Sequence, residues 1–249
     1  MRVLVVNVNT SASMTATIAR AARRNASAGT EIVALQPAFG AEGVDCAFES
    51  YLAAVGVIDR VVTYRERYDA VVLAGFGEHG RDGLQELIDA PVVEICEAAA
   101  HAAMMVGRTY SVVTTPRRSA AAVEDRLRLA GLDQRCASVR ATDLGTAEID
   151  RDPVLAMEAI IGEARLAVEE DHAEVICLGC AGMAGLEEAI TESLGVPVID
   201  GVGAAVRFVE ALVGLNLRTS KVGAYAPPER KEIMGWPLSH HLQLGGPHR

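Results

Sequence analysis

The sequence is poor in aromatic residues, which make up 4% of its 249 residues, with Trp present once. Single-stranded nucleic acid is held by stacking bases on such rings, so the composition excludes that kind of platform. A basic excess is also lacking: 23 Lys and Arg stand against 33 Asp and Glu, a formal charge of −10. Binding a phosphate backbone requires clustered cations, and no nucleic-acid partner is expected. Apolar runs fall well short of the roughly 18 residues of a membrane helix, and the amino terminus runs straight into VLVV without a leader pattern. The expectation is a cytoplasmic protein with no membrane partner. Cysteine is scarce: Cys46, Cys96, Cys136, Cys177 and Cys180 form an odd set without framework spacing. Cys177 and Cys180 make a CxxC, but Cys177 lies inside an apolar run rather than capping a helix, which argues against a redox or zinc pair.

What is present is aliphatic. Half the residues are hydrophobic, mostly Ala, Val, Leu and Ile, which suits helices packed on buried strands. Short apolar runs alternate with longer segments of helical period, the pattern of βα units around a parallel sheet. Strands are expected near 2–7, 30–35, 70–75, 91–95, 110–114, 136–140, 174–179 and 197–199. Helices are expected over 12–24, 44–66, 82–88, 96–106, 117–130, 152–170, 184–194 and 201–214, with Asp152 and Pro153 as a helix start. Residues 219–228 read as an extended return to the first half, and periodicity is lost beyond Met234.

The chain also repeats itself. Residues 69–75, DAVVLAG, are matched by 174–180, EVICLGC, and residues 83–88, GLQELI, by 185–190, GLEEAI. Pro91 and Val92 answer Pro197 and Val198, and the run ending at Asn7 answers the run ending at Thr114, at nearly constant spacing. Duplication explains this. The expected fold is α/β, with two pseudo-symmetric Rossmann-like lobes, parallel sheets and a cleft between them. The first lobe would take 1–97 plus 215–234, the second 98–214, and 235–249 would form a flexible tail. His240, His241 and His248 fall in that tail, where no metal role is expected.

Reactive groups in open α/β sheets gather at the carboxyl ends of the strands. Four small, polar loops lie there: 7–13, 75–80, 114–119 and 180–185. Backbone amides of Gly75, Phe76 and Gly77, and of Cys180, Ala181 and Gly182, are candidates to hold carbonyl, imide or carboxylate oxygens. Proximity to such positive ends would favour a Cys180 thiolate. Asn9, Thr10 and Ser11 offer either substrate contacts or ordinary helix caps. Thr114 and Thr115 occupy the matching loop of the second half, Phe76 is either a stacking face or a core ring, and Asp200 either caps the next helix or supports Cys180. Cys96 reads as a packed thiol.

The motifs VNVNTS at 6–11, AGFGE at 74–78, LGCAGM at 178–183, PVID at 197–200 and TSK at 219–221 together resemble the hydantoin racemase branch of the aspartate/glutamate racemase superfamily. That resemblance implies a cofactor-independent homo-oligomer in which two cysteines on opposite faces of a small substrate exchange a proton at an acidic carbon. The second cysteine maps onto Cys180 and the first onto Gly75. Arylmalonate decarboxylases of the same superfamily share this Gly and Cys arrangement. Where the family loop ends Asp-Pro-Gly, this one ends Glu78-His79-Gly80, and two readings stand. His79 exchanges protons on the vacant face with Glu78 orienting it or serving as base, or both residues cap the next helix and face solvent. The implied function is racemisation of hydantoins or allantoin-like ureides. The alternatives are a decarboxylase with Cys180 as sole proton donor, or a ligand-binding protein.

Overall fold

The computed structural model describes residues 1–229 and 231. Among them, eight strands form two four-stranded parallel sheets. The first comprises β1 (Arg2–Asn7), β2 (Glu31–Leu35), β3 (Ala70–Ala74) and β4 (Val92–Glu94), in the order β2-β1-β3-β4. The second comprises β5 (Tyr110–Thr114), β6 (Cys136–Ala141), β7 (Val175–Leu178) and β8 (Val198–Asp200), in the order β6-β5-β7-β8. Each order is the other shifted by four strands, so the textual repeat is a structural one.

Why the strands read as unbroken apolar runs follows from their cover. Helices α1 (Ala12–Asn25) and α9 (Gly201–Gly214) lie on one face of the first sheet, and α2 (Ala47–Val62) and α3 (Arg81–Leu87) on the other. Alternation along β1 serves both: Val3 and Val5 join the α1 and α9 side, Leu4 and Val6 the α2 side. In the second lobe α4 (Ile95–Val106) and α5 (Arg117–Leu129) cover one face, and α7 (Pro153–Glu169) and α8 (Glu187–Leu194) the other.

The helices that follow β4 and β8 are exchanged between the lobes. The sequence division at 98 and 214 places α9 with the second lobe, yet its Val202, Val206 and Val209 pack with Val3, Val5 and Val72 of the first. Glu210 of α9 also accepts hydrogen bonds from Ser27 and Thr30 of that lobe. Reciprocally, α4 sends Cys96, Ala99 and Ala103 into the core built on Tyr110, Val112 and Val175. The two helices start against each other: a side chain at Gly201 would begin 2.6 Å from the Ile95 carbonyl oxygen, so only glycine permits this crossing. Glu94 and Asp200 hold matching places as the N-caps of α4 and α9.

Other differences are local. Helix α2 is shorter at both ends than expected, and α8 starts late because a 3-10 turn (Ala181–Met183) and Gly185 at φ 100 precede it. A short helix, α6 (Thr146–Arg151), fills a stretch to which the periodicity gives no element. Residues beyond α9 do return to the first lobe, but not as a strand. Thr219 bonds to the Asp89 and Ala90 carbonyls, Lys221 Nζ donates to the Ile88 carbonyl at 2.7 Å, and a 3-10 turn (Gly223–Tyr225) follows. Among the described residues no helix is long and apolar enough to cross a membrane. The segment 235–249 and its three histidines lie outside the described residues.

Candidate active site

Parallel pairing brings the loops after β3 and β7 to the carboxyl ends of the central strands. Asn7 at the end of β1 pairs with Ala74, and Val113 near the end of β5 with Leu178. Gly75 and Cys180 therefore occupy corresponding places. Gly179 is required just before Cys180, since a side chain there would begin 2.9 Å from the Val113 carbonyl oxygen. The N–H groups of Phe76 and Gly77, and of Ala181 and Gly182, have no acceptor within hydrogen-bond distance among the described residues. Four such donors at two strand ends suit an oxygen that gains negative charge.

Cys180 is buried with extended backbone and heads the Ala181–Met183 turn, whose last N–H bonds to the Cys180 carbonyl at 3.0 Å. Its surroundings come from both lobes. A side chain at Gly182 would begin 3.6 Å from Cys180 Sγ, 3.5 Å from Ile149 and 3.3 Å from Met14 Cε of α1. Met14 in turn receives the Asn9 amide at its sulfur, 3.1 Å away. The other cysteines are differently placed: burial raises the Cys96 and Cys177 thiols and lifts Cys136 to about 11, which keeps them protonated.

Across the repeat, the 75–80 loop divides its two titratable residues. Glu78 turns outward and caps α3, accepting from the Gly80 and Arg81 N–H groups at 3.0 and 3.2 Å. His79 turns inward and is buried, with Nδ1 3.0 Å from Ser50 Oγ on α2. Burial and the nearby Arg126 cation push its pKa down to about 4. The face at Gly75 is accordingly filled: a side chain there would begin 2.5 Å from His79 Cδ2 and 2.5 Å from Val8 Cγ1. Since the obstruction is side chain and not backbone, Gly75→Cys is expected to fold but to lose about 1–3 kcal/mol of stability to overpacking. Urea unfolding measures this, and a Val8→Ala change in the same chain should restore part of the loss.

The remaining candidates are engaged with protein. Asn9 is buried, its carbonyl oxygen held by Asn7 and by the Ser11 N–H. Ser11 is the N-cap of α1, and the Thr10 hydroxyl bonds to the Ala41 carbonyl. Thr114 donates to the Gly179 carbonyl at 3.2 Å, fixing the ends of β5 and β7 together. Thr115 meets Thr146, which bonds to Asp45 of the first lobe at 2.6 Å. Phe76 lies half-buried between the two cores, and Asp200 caps α9 at a pKa lifted by burial to about 6. Ser50, Met14 and Asp45 are absent from the sequence reading because each reaches the site from a distant element. Among the described residues no group of three or more His, Cys, Asp or Glu side chains is placed to hold a metal ion.

Comparison with known proteins agrees with this architecture. A hydantoin racemase of Pseudomonas sp. (strain NS671) is 40% identical over 236 residues, covering 94% of this chain and 95% of that protein. The crystal structure of an allantoin racemase from Pseudomonas fluorescens is 61% identical, with a TM-score of 0.93 over 94% of this chain and all of the other. An allantoin racemase from Klebsiella pneumoniae is 43% identical, with a TM-score of 0.91 over 94% of this chain and 96% of its own. An arylmalonate decarboxylase variant, at 15% identity and a TM-score of 0.64, shares the fold alone. The Asp/Glu/Hydantoin racemase pattern matches residues 3–209, across both lobes and both carboxyl-end loops, and the chain belongs to that family.

Proposed function

We propose that the protein is a racemase or epimerase acting at an acidic carbon of a small cyclic amide or ureide, a 5-substituted hydantoin or an allantoin-like compound. Cys180 would carry the proton on one face of that carbon. The observation that carries this reading is Cys180 at a strand end between lobes, beside the N–H groups of Ala181 and Gly182, which bond to none of the described residues. Breaking a C–H bond next to a carbonyl moves charge onto the carbonyl oxygen, and such donors stabilise it without reorganisation. Phe76 and Gly77 supply a matching pair of donors for a second oxygen, as a ring with two carbonyls would need. Thr114, Thr115, Asn9 and Thr10 frame the space. Action in the cytoplasm as a homo-oligomer is part of the same reading.

A single enantiomer of a 5-substituted hydantoin, or of allantoin, incubated with the protein in deuterated water should lose optical rotation while gaining one deuterium at the acidic carbon. Rotation and label unchanged from a protein-free control, for every such compound tried, would remove the racemase assignment. Carbon dioxide released from an arylmalonate would move it to a decarboxylase.

A further inference from the structure

We propose that the short helix α6 is a gate beside Cys180 and that hydrogen bonds from Thr146 to Asp45 latch it, so that substrate reaches the thiol when the latch releases. Passage of substrate rests on the racemase reading; the gate and its latch do not.

The first support is what holds α6 in place. Six residues form no stable helix alone, so contacts with the rest of the molecule must keep this one ordered. Of its described side chains, those of Thr146 and Ile149 are buried, one turn apart on a single face. Ile149 is the apolar anchor. It shares a core cluster with Cys180 and Met183, and a side chain at Gly182 would begin 3.5 Å from Ile149 Cγ2 and 3.6 Å from Cys180 Sγ. Ile149 thus helps to shut in a thiol that is 9% exposed.

Thr146 is the polar anchor, and its partner comes from the other lobe. Its N–H donates to Asp45 Oδ1 at 3.1 Å, and its hydroxyl donates to the same oxygen at 2.6 Å. The loop bearing Asp45 passes close by: a side chain at Gly43 would begin 3.3 Å from Thr146 Cβ. Arg151 at the far end of α6 meets Glu42 at 3.2 Å, an exposed pair that adds little.

The second support is which side can move. Asp45 is fixed: its N–H donates to Glu49 of α2 at 2.7 Å, its carbonyl accepts from Ser119 of α5 at 3.1 Å, and Ala41 in the same loop accepts from Thr10. Ser119 belongs to the second lobe, so the lobes stay joined when Thr146 lets go. Helix α6 is instead bounded by two breaks. Asp143 stands in the left-handed region at φ 60, and Asp152, at φ −131 and ψ 84, interrupts the helical path before α7. Between them the segment can swing as a unit and carry Ile149 away from Cys180.

The test is alkylation by iodoacetamide without substrate, read at each cysteine by peptide mass spectrometry. In wild type Cys180 should react far more slowly than the half-buried Cys46. Thr146→Val keeps shape and loses the hydroxyl, and should speed Cys180 by about tenfold, as loss of a hydrogen bond to a charged group does. Cys96 and Cys177 should stay protected in the same sample, because they report opening of the core and not of α6. Thr146→Ser keeps the hydroxyl and should react as wild type. Wild-type Cys180 as reactive as Cys46, no acceleration in Thr146→Val, or an equal rise at every buried cysteine would each overturn the proposal. Should Thr146→Val fail to fold, amide exchange in wild type decides. The Ile149 and Asp152 N–H groups, which bond to the Gly145 and Glu148 carbonyls, should exchange about tenfold or more faster than that of Gly179, which bonds to Val113. Equal protection refutes the gate. Wild type that racemises no substrate sinks the racemase reading instead, and the alkylation result stands apart from it.

Discussion

Cys180→Ser is expected to lower kcat/KM for racemisation by about 10²–10⁴, with KM and the urea unfolding midpoint little changed. The substitution keeps shape at a buried position and replaces a thiol by a hydroxyl whose proton is far harder to remove near neutrality. The backbone at residue 180 is extended and its carbonyl accepts from Met183, an arrangement serine can share. Loss of rate therefore reads chemistry and not collapse of the loop.

A control separates this from a general thiol effect. Cys136 sits on β6, and burial lifts its pKa to about 11, so Cys136→Ser should leave inversion near wild type. Undiminished racemisation by Cys180→Ser would remove Cys180 from the mechanism, whatever else the protein does.

The strands were readable because burial on both faces writes continuous apolar runs, and the repeated strand order was readable because the halves share text at a fixed offset. The packing of α9 on the first sheet was not, whereas the division at 98 puts most of α4 with the second lobe. Helix α4 is Ala-rich and α9 rich in Val and Ala, and what assigns each to a sheet is the crossing at Gly201 and Ile95, a contact between distant residues. The site divides in the same way. Gly179 and Cys180 are set at the end of β7 by strand register, which local text carries. The direction of His79 depends on an empty Cβ at Gly75 and on Ser50 from α2, so the sequence could name the residue and leave both orientations open. Glu78, its neighbour, takes the capping role that the same text offered to both.

The second large effect concerns stability. Arg126→Met is expected to cost about 3–5 kcal/mol at pH 8, because it strips the cation from a buried pair and leaves a carboxylate behind. Arg126 reaches from α5 of the second lobe to Glu94 at 3.2 Å and also to Glu97, and Glu97 meets Arg81 of α3 at 3.3 Å. The Glu94 side chain is wholly buried and that of Arg126 is 7% exposed. Glu94 must stay, since its oxygens cap α4 by accepting from the Cys96 and Glu97 N–H groups at 2.6 and 2.9 Å. Removing the arginine thus strands a charge at the junction of the lobes.

The pH dependence follows from the same group. Burial raises Glu94 to about 7 while Arg126 pulls it down, so the variant carboxyl should titrate higher still. An acid whose folded pKa lies above its unfolded value is penalised above the folded pKa and relieved as pH falls through it. Urea unfolding at pH 8 and pH 5.5 should therefore show the defect shrinking at the lower pH. Adding Glu94→Gln to Arg126→Met keeps an oxygen for the α4 cap and removes the charge, and should recover much of the loss at pH 8. A defect of the same size at both pH values, unrelieved by that second change, would mean that Arg126 acts through packing of its side chain and not through its charge.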